Sequence, residues 1–332
     1  MGDGAVPFEI RYLSAPVLEE LTPTADEAIA AIELFYALKA RGQVCLQPKL
    51  TLTLGPDHLF QSLCCAATEP AFAICKWIGV QGRNAASGLP NVNGLAILSD
   101  AETGLPCALI DAAGLTAVRT AATSLYAARH LARADARSIA FVGTGVQAQS
   151  HLTLFAQAFP ELREVRILSG HRGGEALAGK AEAMGLQPVL LDQGRPVLDG
   201  ADIVISSVPA RGGPPFLDVD WLKPDCFVSA VDLARSWYPA SLSHFALLAT
   251  DDHRNSAEQQ AQEIMPQIGQ FHVDLSELAG GQFGGTARGG QRSAFIFSGF
   301  ALSDLALSVF FFDLDRKRNA GRPLSSTLYP DR

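Results

Sequence analysis

Near the middle of the chain, a glycine motif directly follows an apolar run. Residues 138–150 read SIAFVGTGVQAQS, so Ser138–Val142 leads into the pattern G-x-G-x-x-A at Gly143, Gly145 and Ala148. The first glycine permits a tight turn, the second admits a pyrophosphate close to the backbone, and the small third residue lets helix and strand pack closely. Because a predicted strand precedes the motif and a predicted helix follows it, we expect it to bind a dinucleotide.

The chain around this motif alternates between short apolar runs and helical stretches. Such alternation predicts an α/β fold with a Rossmann-type, doubly wound parallel sheet. The predicted strands are Ser138–Val142, Val165–Ser169, Pro188–Leu191, Ile203–Val208, Phe227–Val231 and Ala246–Thr250.

The first third of the chain has a different pattern. A strand at Phe8–Tyr12 and a helix at Ala25–Leu38, opened by Thr24, are followed by short apolar runs bounded by turn residues and by a hairpin turn at residues 99–104. These runs are Leu50–Leu54, Phe72–Ile78 and Gly94–Leu98. The pattern predicts a second domain of α+β class.

Length and composition exclude several classes of protein. The 332 residues are enough for two domains at ~100–200 residues each. We place the α+β domain at 1–118, with 305–332 returning to it, and the dinucleotide-binding domain at 119–304. The formal charge of −8, without any run of Lys and Arg, argues against nucleic-acid binding. None of the seven histidines falls in a metal-binding pattern, so we expect no metal.

Cysteine spacing and hydropathy indicate the cellular compartment in which the protein is expected. The six cysteines show neither a paired framework nor a CxxC motif, and the N-terminus lacks a signal-like segment, which favours reduced thiols in a cytoplasm. The apolar run Phe295–Phe312 contains Asp304 and three serines, so we expect a buried helix and no membrane contact. The pair Cys64 and Cys65 lies in an apolar, helix-like run and is interpreted as core.

The end of the second predicted strand bears on the choice of cofactor. An acidic residue there would bind a free ribose 2′-hydroxyl, but residues 169–173 read SGHRG, in which Ser169 and Arg172 can hold a 2′-phosphate. NADP(H) is therefore favoured, with NAD(H) as the alternative. The residues expected to contact the dinucleotide are Thr120, Gly143, Thr144, Gly145, Val146, Gln147, Ser169, Arg172, Ser206, Ser207, Val208 and Val231.

Two further stretches resemble signature segments of a known family. The first comprises Lys76, residues 89–106 (LPNVNGLAILSDAETGLP) and residues 115–124 (LTAVRTAATS); the second runs from Gly289 to Arg292 (GGQR) and on to FSGFALSDLA at residues 297–306. Together with the glycine motif they resemble the ornithine cyclodeaminase/mu-crystallin family over nearly the whole chain.

The resemblance implies an NAD(P)-dependent enzyme that acts on the C–N bond of a small amino or imino acid. It also implies a homodimer, or a larger assembly of dimers, built through the sheet of the N-terminal domain, which would bind the substrate in a cleft facing the nicotinamide.

The resemblance further implies roles for three cations. In the family a lysine and an arginine of the N-terminal half bind the substrate carboxylate, and they match Lys76 and Arg119. Arg119 can form a bidentate fork, whereas Lys76 supplies a compact charge that can also protonate an imine nitrogen. A further family arginine is replaced by Lys49, which is expected to bind the substrate with a different geometry. The alternative for Arg119 and Lys76 is packing at the domain junction.

Asp232 is the nearest match to an aspartate that activates water in the cyclodeaminase branch. It follows the fifth predicted strand, and ligands bind beyond the carboxyl ends of parallel strands, so a catalytic role is expected. The alternative is an N-cap for the following segment. His151, on the helix after the glycine motif, is interpreted as a packing residue.

Three functions are compatible with these residues. The favoured one is reduction of an α-imino acid by NAD(P)H, as in a ketimine reductase or amino-acid dehydrogenase. The second is cyclodeamination of ornithine or lysine with bound NAD⁺ used catalytically, for which Asp232 is the supporting feature. The third is a non-catalytic NADP-binding protein like mu-crystallin.

Overall fold

The computed structural model describes residues 9–55, 57–170, 173–209, 213–283 and 290–324. The chain divides into two compact units. The first unit comprises Met1–Pro23, Arg41–Arg119 and Phe300–Arg332, and the second comprises Thr24–Ala40 and Thr120–Gly299.

Strands belong to one sheet in each unit. They are β1 (Ile10–Leu13), β2 (Val44–Leu46), β3 (Leu50–Gly55), β4 (His58–Thr68), β5 (Ala71–Gln81), β6 (Val92–Asp100), β7 (Pro106–Asp111), β8 (Ser138–Val142), β9 (Glu164–Leu168), β10 (Gln187–Leu191), β11 (Ile203–Ser206), β12 (Phe227–Ala230), β13 (Leu247–Thr250), β14 (Val273–Asp274), β15 (Ser293–Ile296) and β16 (Arg322–Leu324).

The α-helices are α1 (Ala15–Glu20), α2 (Ala25–Ala40), α3 (Ala112–Leu131), α4 (Val146–Ala158), α5 (Gly173–Ala183), α6 (Gly194–Leu198), α7 (His253–Ala261), α8 (Leu275–Ala279) and α9 (Ala301–Arg318). Three short 3₁₀ turns, Asn84–Ser87, Val219–Trp221 and Pro239–His244, complete the described elements.

The first unit is built on a mixed sheet in the order β16-β1-β7-β6-β5-β4-β2, with β3 also paired to β4. β1 and β7 are parallel, and the other pairs are antiparallel. The predicted hairpin joins β6 to β7, and Gly104 takes a φ of +75° in its turn. Side chains alternate between the two faces of a strand, so on β5 Lys76 is fully buried whereas the neighbouring Trp77 is exposed.

The second unit contains eight parallel strands in the order β10-β9-β8-β11-β12-β15-β13-β14. The central strands β8, β11 and β12 are buried throughout, as expected for a parallel sheet with both faces covered. The order 3-2-1-4-5 across β10, β9, β8, β11 and β12 is the doubly wound arrangement. The predicted Rossmann-type fold with a separate α+β part is therefore confirmed.

Two local predictions are wrong. Cys64 and Cys65 lie in strand β4 instead of a helix, with Cys65 buried and Cys64 half-buried. The run Phe295–Phe312 is not one helix, because β15 ends at Ile296 and α9 begins at Ala301. Both segments are apolar at nearly every position, and periodicity cannot separate a buried strand from a buried helix in such runs. No helix among the described residues is long and apolar enough to cross a membrane.

Candidate active site

Two buried cations share one carboxylate in the first unit. Lys76 Nζ donates to Asp304 Oδ1 at 2.6 Å and to Thr116 Oγ1 at 3.2 Å. Arg119 Nε lies 3.1 Å from the same oxygen, Asp304 Oδ1. We call Lys76, Arg119, Asp304 and Thr116 the cation cluster. The structure thus brings together Lys76 and Arg119, which the sequence assigned to one ligand.

Local structure explains how the cluster forms. The Asp111 side chain accepts the backbone N–H of Gly114 at 2.6 Å and so supports the first turn of α3. Thr116 and Arg119 are three positions apart on that helix and therefore lie on the same face. Asp304 lies in the first turn of α9, which packs against β5. The interior side of β5 then presents Lys76 to both helices.

Burial dominates the electrostatics of the cluster. It lowers the pKa of Lys76 to about 8, although the Asp304 carboxylate opposes this effect, and the charges of Arg119 and Lys49 add to it. A group with a pKa near neutrality can both give and take a proton under ordinary conditions. Within the cluster two cations share a single carboxylate, an arrangement that can attract a further anion. The cluster is therefore suited to bind an anion and to exchange a proton.

Lys49 stands just before β3 and is half-buried. Its charge contributes to lowering the pKa of Lys76, so the two ammonium groups lie within electrostatic range of each other. The three predicted substrate-binding cations, Lys49, Lys76 and Arg119, all belong to the first unit.

In the second unit the glycine motif forms the predicted strand–turn–helix. Gly143 has a φ of +101°, and a Cβ there would lie 2.7 Å from the Ser207 carbonyl oxygen. Gly145 is the N-cap residue of α4, with no side-chain cap, and nothing lies within 4 Å of the position that its Cβ would take. Ala148 is fully buried. The free helix N-terminus and the open space over Gly145 fit the phosphates of a dinucleotide.

Two buried polar atoms near this turn lack protein partners. Ser207 Oγ and Gln147 Oε1 are enclosed yet form no hydrogen bond with any described residue. Buried polar groups are nearly always hydrogen-bonded, so such atoms fit a ligand that would supply the missing partner. Both residues were predicted to contact the cofactor.

The other predicted cofactor residues occupy varied environments. Thr144 is half-buried, and its Oγ1 would lie 2.6 Å from a Cβ on Gly173, so that glycine allows a close approach. Val146 is 67% exposed, an unusual position for a large apolar side chain. Ser169 donates its hydroxyl to the Leu191 carbonyl.

Of the remaining predicted cofactor residues, Thr120 is buried on α3, and Val208 and Val231 are half-buried just beyond β11 and β12. Arg172 lies outside the described residues, and the preference for NADP(H) stays a prediction.

Asp232 follows β12, and both of its carboxylate oxygens accept hydrogen bonds from nearby serines. Ser206 Oγ donates to Oδ1 at 3.0 Å, and Ser236 Oγ donates to Oδ2 at 2.5 Å. Trp237 Nε1 in turn donates to Ser206 Oγ. Burial raises the pKa of Asp232, and the two serine hydroxyls oppose that effect. No helix begins after Asp232; instead the chain turns through Leu233 at a φ of +62° and Ala234 at +58°.

His151 lies in a chain of buried hydrogen bonds. Its Nδ1 bonds the Gln147 carbonyl at 2.7 Å, which makes Nδ1 the donor, so Nε2 accepts from Ser124 Oγ at 2.9 Å. Ser229 donates to Ser124 in turn. Burial lowers the pKa of His151 to about 4, so the ring is neutral near pH 7. These contacts agree with the interpretation of His151 as a packing residue.

Sequence reasoning did not assign Asp304 or Thr116 to the site. Asp304 was noted as an interruption of an apolar run and as part of the family-like segment FSGFALSDLA, but it was given no role in the site. Because a fully buried carboxylate needs a partner, an aspartate inside such a run is itself a signal that a cation packs against the helix. Which cation it meets could not be read from sequence, since Lys76 and Asp304 are 228 positions apart.

Comparisons with known proteins agree with this architecture. The chain is 27% identical to the nodulation efficiency protein NfeD of Rhizobium meliloti, over 95% of this chain and 98% of that protein. It is 24% identical to the alanine dehydrogenase of Archaeoglobus fulgidus over the same fractions. The structure of the Thermococcus litoralis Δ1-pyrroline-2-carboxylate reductase, in complex with NADH and L-proline, superposes with a TM-score of 0.85 at 19% identity, covering 95% of this chain and all of that one.

The family profile matches residues 13–315, so the match includes the strand β5 with Lys76, the glycine motif and most of α9. The chain belongs to the ornithine cyclodeaminase/mu-crystallin family.

Proposed function

We propose that this protein is an NAD(P)H-dependent reductase of a small α-imino acid. The observation that carries the proposal is the cation cluster, in which a fully buried lysine with a pKa of about 8 and an arginine share one carboxylate. The first unit would supply the groups that bind the substrate carboxylate, and the second would hold the dinucleotide. Relatives named alanine dehydrogenase and Δ1-pyrroline-2-carboxylate reductase support a reaction at a carbon–nitrogen bond.

The reaction needs one hydride and one proton for each C=N bond. The dinucleotide, when bound, supplies the hydride to the imine carbon. Arg119 would bind the α-carboxylate through its planar fork, with Lys49 adding positive charge. Lys76 would hold the proton that the nitrogen takes, so that the product is the amine and Lys76 is left neutral until it is reprotonated. Asp304 would keep Lys76 and Arg119 in position.

The environment of Asp232 favours reduction over cyclodeamination. A general base that activates water must offer a free carboxylate oxygen to that water. Each oxygen of Asp232 accepts a serine hydroxyl, and the residue is only 3% exposed, so little of either oxygen remains accessible to a water molecule. We therefore assign Asp232 to holding the turn after β12, where it would position the residues that follow it.

The test is cofactor consumption at 340 nm by the purified protein. NADPH and NADH would be offered with cyclic and acyclic α-imino acids, and L-ornithine and L-lysine would be assayed in parallel for ammonia release. Stoichiometric loss of reduced cofactor with an imino acid is the expected result. Formation of proline and ammonia from ornithine without net cofactor change would instead establish a cyclodeaminase, and binding without any turnover would establish a non-catalytic protein.

A further inference from the structure

Strands β4 and β5 carry two cysteines directly opposite each other. Cys64 and Cys75 are register partners in this antiparallel pair, and both thiols are free and half-buried. Ser62 Oγ lies 3.4 Å from Cys64 Sγ and 3.8 Å from Cys75 Sγ, so one hydroxyl contacts both sulfurs. Burial raises the pKa of Cys75, Ser62 opposes that effect, and a hydrogen bond with the Cys64 thiol adds to it. The proposed reduction uses neither thiol.

The pair can form a disulfide with little movement of the backbone. Directly opposed residues of antiparallel strands have Cβ atoms about 4.5–5.5 Å apart, and a disulfide needs about 3.5–4.5 Å, so an approach of about 1 Å suffices. The bond would join two strands that already pair with each other, so the order of the sheet is unchanged.

The two cysteines nearest the pair cannot replace either partner. Cys65 points to the buried face of β4, where burial raises the pKa of its thiol and makes it unreactive. Cys45 on β2 is exposed and pairs with Ala66, which places it diagonal to Cys64 on the same face. Diagonal neighbours have Cα atoms about 7–8 Å apart, beyond the reach of a disulfide. Register therefore selects Cys64 and Cys75.

The pair lies between apolar side chains and a recess on one face of the sheet. Ile97 is the register partner of Cys75 on β6, and Trp77 lies two positions along β5; they are 42% and 43% exposed. Ala66, two positions along β4 from Cys64, lines a recess of about 430 Å³. A small oxidant can therefore reach Cys64 from the recess, and a charge formed on either sulfur would lie beside apolar groups.

We infer that Cys64 and Cys75 are a peroxide-reactive dithiol that closes to a reversible disulfide across β4 and β5. Hydrogen peroxide oxidises the Cys64 thiol to a sulfenic acid and releases one water. Cys75 Sγ then attacks that sulfur, the S–O bond breaks and a second water leaves, so two thiols lose two electrons and one peroxide is reduced. The disulfide is uncharged, whereas a lone sulfenic acid goes on to an anionic sulfinic acid that thiols do not reduce. The pair thus keeps this apolar face uncharged under oxidation.

The test is disulfide mapping in the full-length, reduced protein after treatment with hydrogen peroxide. Trypsin cuts after Lys49 and Lys76, so Cys64, Cys65 and Cys75 share one peptide, residues 50–76. After alkylation, the wild-type peptide should carry one alkyl group, on Cys65, and lack two hydrogens. Dithiothreitol added before alkylation should restore three alkylated cysteines.

Two serine variants complete the test. Cys75→Ser removes the partner thiol, so Cys64 should go on to sulfinic acid, which dithiothreitol does not reverse. Cys45→Ser is the matched control, because it removes an exposed thiol from the same face, and it should retain the wild-type disulfide.

Three alkylated cysteines in the peroxide-treated wild-type peptide would overturn the inference. A disulfide to Cys45, or irreversible oxidation of Cys64 in the wild type, would overturn it as well. The wild-type result is decisive even if a variant fails to fold, and none of these readouts depends on the proposed imine reduction.

Discussion

At the residue scale, the Asp304 carboxylate stabilises the charges of two buried cations in the first unit. Lys76 has no exposed surface, and an unpaired ammonium in such a place would lose its proton. The carboxylate at 2.6 Å partly restores the charge, leaving the pKa of Lys76 at about 8. The same oxygen holds Arg119, so one aspartate sets both the geometry and the proton affinity of the proposed site.

Replacement of Lys76 should remove the proton donor without removing the fold. Lys76→Met is expected to lower kcat/KM by about 10²- to 10⁴-fold, the contribution of a positioned acid or base. Lys317→Met, at an exposed position in the last turn of α9, serves as the control and should retain wild-type rates. Steady-state kinetics at pH 7 would measure both, and near-normal activity of Lys76→Met would rule out the assigned role.

The pH dependence of reduction tests the link between Asp304 and Lys76. The protonated lysine is the donor, so kcat should fall as the pH rises through the pKa of Lys76, that is, above about 8. Asp304→Asn removes the charge that raises this pKa, so the falling limb should move to lower pH by about 1–3 units.

Asp313→Asn, an exposed change on the same helix, should leave the limb in place. Asp304→Asn should also lower the free energy of unfolding by about 3–5 kcal/mol in urea, because two buried cations lose the carboxylate that they share. If a folded Asp304→Asn protein kept the wild-type pH profile, Asp304 would not be the group that sets the pKa of the proton donor.

At the scale of elements, the turn between β8 and α4 uses two glycines for different physical reasons. Gly143 is needed by the protein itself, because of its positive φ and the nearby Ser207 carbonyl. Gly145 has an ordinary φ of −78° and open space beside it, so the free chain does not need a glycine there. The space is needed only when a ligand approaches the backbone.

The two alanine variants should therefore differ. Gly145→Ala is expected to change the free energy of unfolding by about 1 kcal/mol or less, yet to raise the Kd for NADPH or NADH about tenfold or more. Gly143→Ala should lower the free energy of unfolding of the ligand-free protein by about 1–3 kcal/mol. Urea denaturation and cofactor fluorescence titration would measure these values. Unaltered cofactor binding by Gly145→Ala would contradict the assignment of the phosphate site.

Elements with a strong local signal were the ones that the sequence predicted well. The strand Ser138–Val142 was predicted at its observed bounds, because the glycine motif fixes where it ends. The strand β15 and the strand β4, which contains Cys65, were missed, because an apolar run without intervening polar residues shows no hydrophobic periodicity. In the site, Lys76 and Arg119 came from the family resemblance, whereas Asp304 depends on a contact between distant segments that no local pattern records.

At the scale of the whole molecule, the first unit leaves one face of its sheet uncovered. Five large apolar side chains on β3, β5 and β6 are between 42% and 58% exposed. They are Leu50, Leu52, Trp77, Leu95 and Ile97. Register places Trp77 beside Leu95, and Leu52 beside Phe60, whose ring stacks on Trp77. An apolar surface of this kind marks a contact with another chain, and we propose that a second copy covers it in a homodimer.

A charge placed in this face should therefore dissociate the dimer. Trp77→Arg is expected to give monomers in sedimentation velocity at concentrations where the wild type is dimeric, because an unpaired guanidinium would be buried in the interface. Leu34→Arg, at a similarly exposed apolar position on α2, should leave the assembly unaltered. A monomeric wild type would refute the proposed homodimer.

The proposed reaction transfers a hydride from the dinucleotide to the carbon of a C=N bond. The measurement is the fate of deuterium from NADPH or NADH that carries deuterium at both hydrogen positions of nicotinamide C4, followed by mass spectrometry of the amino acid formed. We predict one deuterium at the α-carbon for each reduced cofactor consumed, and about 10²-fold or more less labelled product from Lys76→Met at matched times. An amino acid product without deuterium, or turnover with no net loss of reduced cofactor, would rule out the proposed reduction.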